Sequence, residues 1–112
     1  MSRTVDYSKM SDGEISVRLA HYLKQKYSAV INPIDKTGAQ LSWNWFNTVQ
    51  TTGFFPLRRS EELFRVMKKH KIGLSPSGKT VWQASHESGA NATHRNPLRA
   101  VAFVYLMIKE GV

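Results

Sequence analysis

The C-terminal segment constrains the fold of this chain most strongly. Asn96 and Pro97 precede an uninterrupted run of nine apolar residues, 100–108, and Gly111 follows that run. Asparagine is a favoured helix N-cap, proline is tolerated at the first helical position, and glycine commonly ends helices. The run is too short to cross a bilayer, which needs about 20 residues. We therefore predict a buried C-terminal helix around which the other elements pack.

The size and composition of the chain favour one small domain. Its 112 residues are 41% hydrophobic and include no cysteine. The lack of cysteine excludes disulfides, thiol nucleophiles and Cys-ligated metals, so packing must hold the fold. Residues 1–10 are polar and do not resemble a secretory signal. We expect a single domain, 1–112 with an ordered core over about 6–110, that stays in the cytoplasm and has no membrane partner.

A first helix is predicted from the capping box Ser11-Asp12-Gly13-Glu14. The Ser11 hydroxyl can accept the Glu14 amide proton, and carboxylates suit the positive end of a helix. Apolar residues then recur at helical spacing and give one buried face through about Lys26. These residues are Ile15, Leu19, Tyr22 and Leu23.

Residues 28–57 carry mixed signals. Asn32-Pro33 and Thr37-Gly38 are typical of turns, whereas Leu41, Trp43 and Trp45 alternate with polar residues as in a strand. We interpret this stretch as an irregular segment with one short strand.

A second helix is predicted to begin after Ser60 as its N-cap, with acidic residues in the first turn and lysines near the end. Leu63, Phe64 and Met67 are expected to form its inner stripe. Together with the C-terminal helix and the hairpin described next, this order of elements predicts an α+β domain with three helices.

Residues 73–80 match the phosphate-loop pattern G-x-x-x-x-G-K-[ST] in every letter. A working phosphate loop needs a buried strand before it and a helix directly after it. Here lysines precede the pattern, an extended stretch follows it, and Pro76 removes one of the amides that would bind phosphate. We predict a β-hairpin that turns at Pro76-Ser77-Gly78, with no nucleotide cofactor.

The histidines lack the spacing of a known catalytic or metal site. His86 lies next to Glu87 and near Ser85 and Ser88, and His94 follows eight residues later. The stretch 85–91 is rich in Ser, Gly and Asn and is interpreted as a solvated loop. We predict no catalytic residue, no metal, no cofactor and no enzyme activity.

Basic residues are concentrated in the second half of the chain. The chain has 16 Lys and Arg against 8 Asp and Glu, a net charge of +8. On a helix, the cations between 65 and 69 share one face, which those of the preceding turn can extend. This face is either the solvated side of an amphipathic helix or a site for a nucleic-acid backbone. The cluster spans residues 58–71 and includes Lys71, and the candidate contact residues within it are Arg58, Arg59, Arg65, Lys68 and Lys69.

Five aromatic residues lie between 43 and 55, and most are expected in the core of a domain this small. Phe54 and Phe55 are adjacent in an extended turn, so one of the two is expected to be exposed. Exposed aromatic side chains stack on bases or anchor protein partners.

Arg99 occupies the third position of the C-terminal helix, where a cation opposes the helix dipole at a cost of about 0.3–1 kcal/mol. Either a salt bridge or a buried carbonyl contact compensates this cost and fixes the helix start, or Arg99 and Arg95 share a site for an anion or a partner.

Three stretches resemble the NinX-like proteins of tailed phages and prophages: 7–15, 71–75 and Asn96-Pro97-Leu98-Arg99-Ala100 before the apolar helix. The resemblance spans nearly the whole chain in the same order, although the basic second half departs from it. That family is a domain of unknown function. The resemblance therefore implies a phage-encoded accessory protein in a bacterial host and supplies no catalytic residue.

The sequence thus predicts a non-enzymatic binding protein whose preferred partner is a host or phage protein, with nucleic acid as the alternative. The candidate contact residues are Arg58, Arg59, Arg65, Lys68, Lys69, Phe54, Phe55, Arg95 and Arg99.

Overall fold

The structure is a computed structural model that describes residues 6–111. Over these residues it contains three α-helices and two antiparallel three-stranded sheets, which confirms the predicted α+β class. The elements in chain order are a 3-10 turn (Tyr7–Lys9), α1 (Asp12–Leu23), β1 (Ser28–Ile31), β2 (Ala39–Trp45), β3 (Thr48–Phe54), α2 (Glu61–His70), β4 (Gly73–Pro76), β5 (Trp82–Ser85), β6 (Asn91–His94) and α3 (Pro97–Glu110).

The described residues fall into two compact units. The N-terminal unit is Tyr7–Pro56, and the C-terminal unit is 57–111 together with Asp6. The predicted domain, 1–112, extends beyond the described residues at both ends, and its status as one domain stays a prediction.

In the N-terminal unit, α1 packs against β1 and β2. The predicted cap is present, because the Glu14 amide donates to Ser11 Oγ at 3.1 Å. Ile15 and Leu19 are fully buried, as their helical spacing predicted. The helix ends at Leu23, three residues before the predicted end.

The prediction of one strand over 28–57 was wrong, because this stretch forms the three strands of a sheet in the order β1-β2-β3. Most residues of β1 and β3 are exposed, and β3 is built from Thr, Gln, Val and Gly up to Phe54. A strand that buries little does not show the alternation of apolar and polar residues that marks a strand in a sequence. Pairing with β2 therefore determines where β1 and β3 form more than their own sequence of apolar and polar residues does.

Phe54 and Phe55 point to opposite faces of this sheet. Phe54 is 6% exposed, on the same face as Ala39 with which it pairs, and Lys24 Nζ lies 5.8 Å from its ring centre. Phe55 is half-buried on the other face. A Cβ added to Gly38 would lie 2.2 Å from the Phe55 ring, and one on Gly53 would lie 2.6 Å from it. The two glycines thus allow the ring to lie against the sheet.

In the C-terminal unit, α3 packs against β5, β6 and α2. Residues 99–106 of this helix are all buried, which confirms the predicted C-terminal helix. Asn96 Oδ1 accepts the Leu98 amide proton at 2.9 Å, and Gly111 ends the helix with a φ of 71°.

The predicted hairpin is formed by β4 and β5, and the Ser77 amide donates to the Val81 carbonyl at 2.8 Å across its turn. The phosphate-loop lettering therefore lies in a hairpin with no helix directly after it. The sequence did not predict β6, which pairs with β5 and contains Ala92 as its single apolar residue.

The predicted inner stripe of α2 was partly wrong. Leu63 and Val66 are 0% and 3% exposed, whereas Phe64 is 58% exposed. Positions 63, 66, 67 and 70 follow the spacing of one helix face, and Phe64 lies outside that face. Ser60 precedes the helix as predicted, but its side chain makes no capping hydrogen bond.

We expect Asn96→Ala to lower the free energy of unfolding by about 1 kcal/mol, because the Leu98 amide loses its acceptor. Asn96→Ser keeps a capping oxygen and should change stability by only a few tenths of a kcal/mol. Urea denaturation of both variants measures the difference. Equal stability of the two variants would contradict a capping role for Asn96.

Candidate interaction surfaces

The first candidate surface is the basic face, which we define as Arg58, Arg59, Arg65, Lys68 and Lys69. All five side chains are exposed. The three on α2 lie on the side of the helix opposite Leu63 and Val66, as their spacing predicted, and the two arginines precede the helix.

Glu61 and Glu62 offset part of the charge of this face. Glu62 pairs with Arg65 at 3.6 Å, and the Arg65 side chain is 76% exposed. Such exposed pairs contribute at most about 1 kcal/mol and are screened by salt. Residues 57–112 carry ten Lys and Arg against four Asp and Glu, so they hold +6 of the net +8. Phe64 is exposed on the same outer side of α2.

The remaining candidate contact residues divide between surface and interior. Arg95 is exposed and Phe55 is half-buried. Phe54, at 6% exposed, and Arg99, at 8%, are interior residues, and this corrects their selection as surface contacts. The Arg99 guanidinium carbon lies 5.1 Å from the centre of the Phe103 ring, one helical turn along α3. This contact is with an aromatic ring, whereas the expectation for Arg99 was a salt bridge or a buried carbonyl contact, and that expectation stays a prediction.

The second candidate surface was not predicted, and it lies at the turn between β2 and β3. We call it the hairpin tip and define it as Trp45 and Phe46, which are 60% and 85% exposed. Val49, which is 66% exposed, lies next to Thr48 on the opposite face of the hairpin from Trp45 and is not part of the tip. The rings of Trp45 and Phe46 meet edge to face with 4.8 Å between their centres. No residue from 39 to 56 is charged. The tip is therefore an exposed apolar group in an uncharged part of the chain.

The backbone at the hairpin tip is strained. Phe46 and Asn47 have φ values of 49° and 61°, and β2 and β3 pair directly on either side of them. Two left-handed residues in a two-residue loop form a type I′ turn, which strongly prefers Asn-Gly. A bulky residue in this conformation costs roughly 1–2 kcal/mol. Phe46 thus combines an exposed aromatic ring with an unfavourable backbone conformation.

The sequence assigned the aromatic residues of this hairpin to the core. That assignment suits Trp43, which is half-buried and meets the Tyr27 ring at 5.3 Å between centres. It fails for Trp45 and Phe46. Two β-forming stretches separated by Phe46-Asn47 could have revealed the hairpin, but no glycine marks the turn.

His86, the histidine that lies beside Glu87, Ser85 and Ser88 in the sequence, is part of a local turn. His86 Nδ1 lies 2.9 Å from Ser88 Oγ and accepts the Ser88 amide proton at 3.1 Å. Among residues 6–111, no group of three or more His, Asp or Glu side chains is placed to hold a metal ion.

An open cleft of about 560 Å³ lies between the β5–β6 turn and the end of α3. The residues that line it have no ionisable side chain, so the cleft offers neither a general base nor a charged anchor. They are Ser88, Gly89, Ala90, Asn91, Met107, Ile108 and Gly111.

His70, at the end of α2, is an ionisable group whose pKa the fold changes. Burial lowers the pKa of His70, and the positive charges of Lys109 and Lys69 and the nearby His86 lower it further. Its ring meets the Tyr105 ring at 5.3 Å between centres. The folded protein therefore favours the neutral imidazole.

A lowered pKa of His70 makes stability depend on pH. Neutral His70 contributes its full stability above pH 6.5, the ordinary pKa, and this contribution is lost as pH falls through the lower folded-state value. We expect His70→Gln to lose less stability than the wild type between pH 7.5 and 5.5. His21→Gln, at an exposed position, serves as the control. Unchanged pH dependence in His70→Gln would contradict this assignment.

Within the described residues, no helix is both long and apolar enough to span a bilayer. No family model matches the chain, and neither the curated proteins nor the solved structures include a significant match to it.

Proposed function

We propose that this protein acts without catalysis by binding another protein through the hairpin tip. The observation that carries the proposal is Phe46, which is 85% exposed and has a φ of 49°. Strained residues in proteins cluster at binding and catalytic sites, where function maintains an unfavourable conformation.

The composition of the hairpin tip supports a protein partner. Protein interfaces are enriched in aromatic residues and depleted of charge at their centre. Burying on the order of 100 Å² more of each exposed ring would contribute about 2.5 kcal/mol per ring. Trp45 and Phe46 are therefore suited to act as anchors in an apolar pocket.

We further propose that this binding takes place in the cytoplasm of a bacterium, with a host or phage protein as the partner. The support for this setting is the resemblance of the chain to the NinX-like phage proteins. The resemblance names no partner.

Affinity capture from a bacterial host lysate tests the protein-binding proposal. The baits are the wild type and Trp45→Ser/Phe46→Asn, and each capture is repeated after nuclease treatment. We expect a specific protein that the wild type retains after nuclease and that the double variant loses. Equal recovery by both baits would overturn the role of the hairpin tip, and loss of every partner after nuclease would favour nucleic acid.

Nucleic acid is the second candidate partner, and the basic face supports it. Lysine is depleted at protein interfaces, whereas lysine and arginine are the usual contacts to phosphates. Phe64, exposed on the same side of α2 as three of the five cations, could stack on a base of a single strand.

Salt dependence of binding to a labelled DNA strand tests the second candidate. We expect fluorescence anisotropy to show affinity that falls steeply with salt, and Arg65→Gln/Lys68→Gln/Lys69→Gln to reduce both affinity and slope. Lys9→Gln/Lys26→Gln/Lys36→Gln removes the same charge from exposed positions of the N-terminal unit. Equal effects of the two triple variants, or affinity that does not change with salt, would exclude a role for the basic face.

A further inference from the structure

The edge of the N-terminal sheet formed by β3 lacks the usual protection against pairing with another strand. β3 has seven residues and is the outer strand in the order β1-β2-β3. It contains neither a charged residue nor a proline. Soluble proteins commonly protect such edges with lysine, proline, bulges or short strands.

The other three sheet edges are protected in these ways. β1, β4 and β6 have only four residues each. In addition, β4 ends in Pro76. The unprotected edge of β3 is therefore an exception among the sheet edges that the structure describes.

The hairpin register determines which backbone groups of β3 face outward. Because the loop has two residues, Trp45 and Thr48 form a hydrogen-bonded pair. Every second residue of β3, starting at Thr48, therefore directs its backbone N–H and C=O groups toward β2. The residues between them, Val49, Thr51 and Gly53, direct their N–H and C=O groups away from β2. All three residues are exposed, and within 6–111 none has a backbone hydrogen bond outside the strand ladder.

This outward row is complementary to itself. Two β3 strands that run antiparallel about Thr51 pair Thr51 with Thr51 of the second copy, and Val49 with Gly53 in both directions. Each of these three facing pairs can exchange two backbone hydrogen bonds, which gives about six in total. Threonine pairs are favourable across strands, and glycine leaves room for the valine opposite it.

We propose that two copies of this chain associate through β3 into a continuous six-stranded sheet, with Thr51 at the two-fold axis. The contact is isologous, so it closes after two copies. No residue from 39 to 56 is charged, so the paired strands themselves bring no like charges together. The association uses the backbone of β3 and does not depend on the proposed partner of the hairpin tip.

Cysteine cross-linking tests this register directly, because the chain has no cysteine of its own. In the proposed dimer the two Thr51 Cα atoms lie about 5.5 Å apart, within the range of about 4.4–6.8 Å for a disulfide. We expect Thr51→Cys to form a disulfide dimer on mild oxidation at least ten times faster than Thr52→Cys. Thr52 is the control, because it points to the other face of the sheet from Thr51 and pairs with Gln50 of the second copy, so the two Thr52 residues do not face each other. Equal rates for the two variants would overturn the register.

Sedimentation of the unmodified protein tests the association itself. We expect a monomer–dimer equilibrium that shifts toward dimer as salt screens the net charge. Thr51→Pro removes an outward N–H while leaving the bonds to β2 intact, and should weaken the dimer at least tenfold with an unchanged circular dichroism spectrum. Phe46→Asn should leave the dimer unchanged. A wild type that is monomeric at all concentrations, or that grows beyond dimers, would overturn the proposal.

Discussion

Leu106→Asp should prevent the C-terminal unit from folding. Leu106 is fully buried within α3, and Phe103, one turn earlier, is 4% exposed. Loss of a buried leucine alone costs about 2–5 kcal/mol, and an unpaired buried carboxylate adds several more. The sum reaches the total stability of a typical small protein, about 5–15 kcal/mol.

Lys109→Asp is the matched control, because it places the same side chain at an exposed position of α3. Its cost should stay near 1 kcal/mol, since it opposes the dipole at the end of the helix. Circular dichroism and thermal unfolding of both variants measure the contrast. If aspartate were tolerated at both Phe103 and Leu106 without loss of stability, α3 would not be the core of this unit.

Gly13→Ala should lower the free energy of unfolding by about 1–3 kcal/mol, although alanine is the better helix former. A Cβ at Gly13 would lie 2.3 Å from the Lys36 carbonyl oxygen and 3.0 Å from Ile31 Cγ2. The backbone oxygen cannot rotate away as a side chain would, so the loop before β2 or the start of α1 must shift.

Chemical denaturation of Gly13→Ala beside His21→Ala checks the sign of this effect. His21 is exposed on the same helix, and its replacement should change stability by less than about 0.7 kcal/mol. A Gly13→Ala variant as stable as the wild type would show that α1 does not lie so close to Lys36.

The elements with strong local signals were predictable from the sequence. Asn96, the apolar run and Gly111 define the start, middle and end of α3 within one short segment. The turn at Pro76-Ser77-Gly78 likewise identified the β4–β5 hairpin. In both cases the residues that determine the structure are neighbours in the chain.

The missed elements depend on contacts between distant residues. Strands β1 and β3 are mostly exposed and lack the alternation of apolar and polar residues that marks a half-buried strand, and β6 has a single apolar residue, so pairing with their partners defines all three. Phe64 was misassigned because Leu63 and Phe64 are equally apolar, and only packing determines which of them faces inward.

The two candidate surfaces also differ in whether local sequence signals could predict them. The exposed cations of α2 follow from helical spacing and were predicted. The hairpin tip was not, because a type I′ turn usually contains glycine and here contains Phe46 and Asn47. The departure from the usual turn sequence is also what makes Phe46 a functional candidate.

Binding through the hairpin tip is tested most directly by comparing the wild type with Phe46→Asn. The affinity of each for the captured partner and the free energy of unfolding are measured on the same samples. Asparagine relieves the strained backbone, so stability should stay equal or rise by about 1 kcal/mol. We nevertheless expect Kd to increase at least tenfold, because the Phe46 ring is lost from the contact. An unchanged Kd would contradict binding through the hairpin tip.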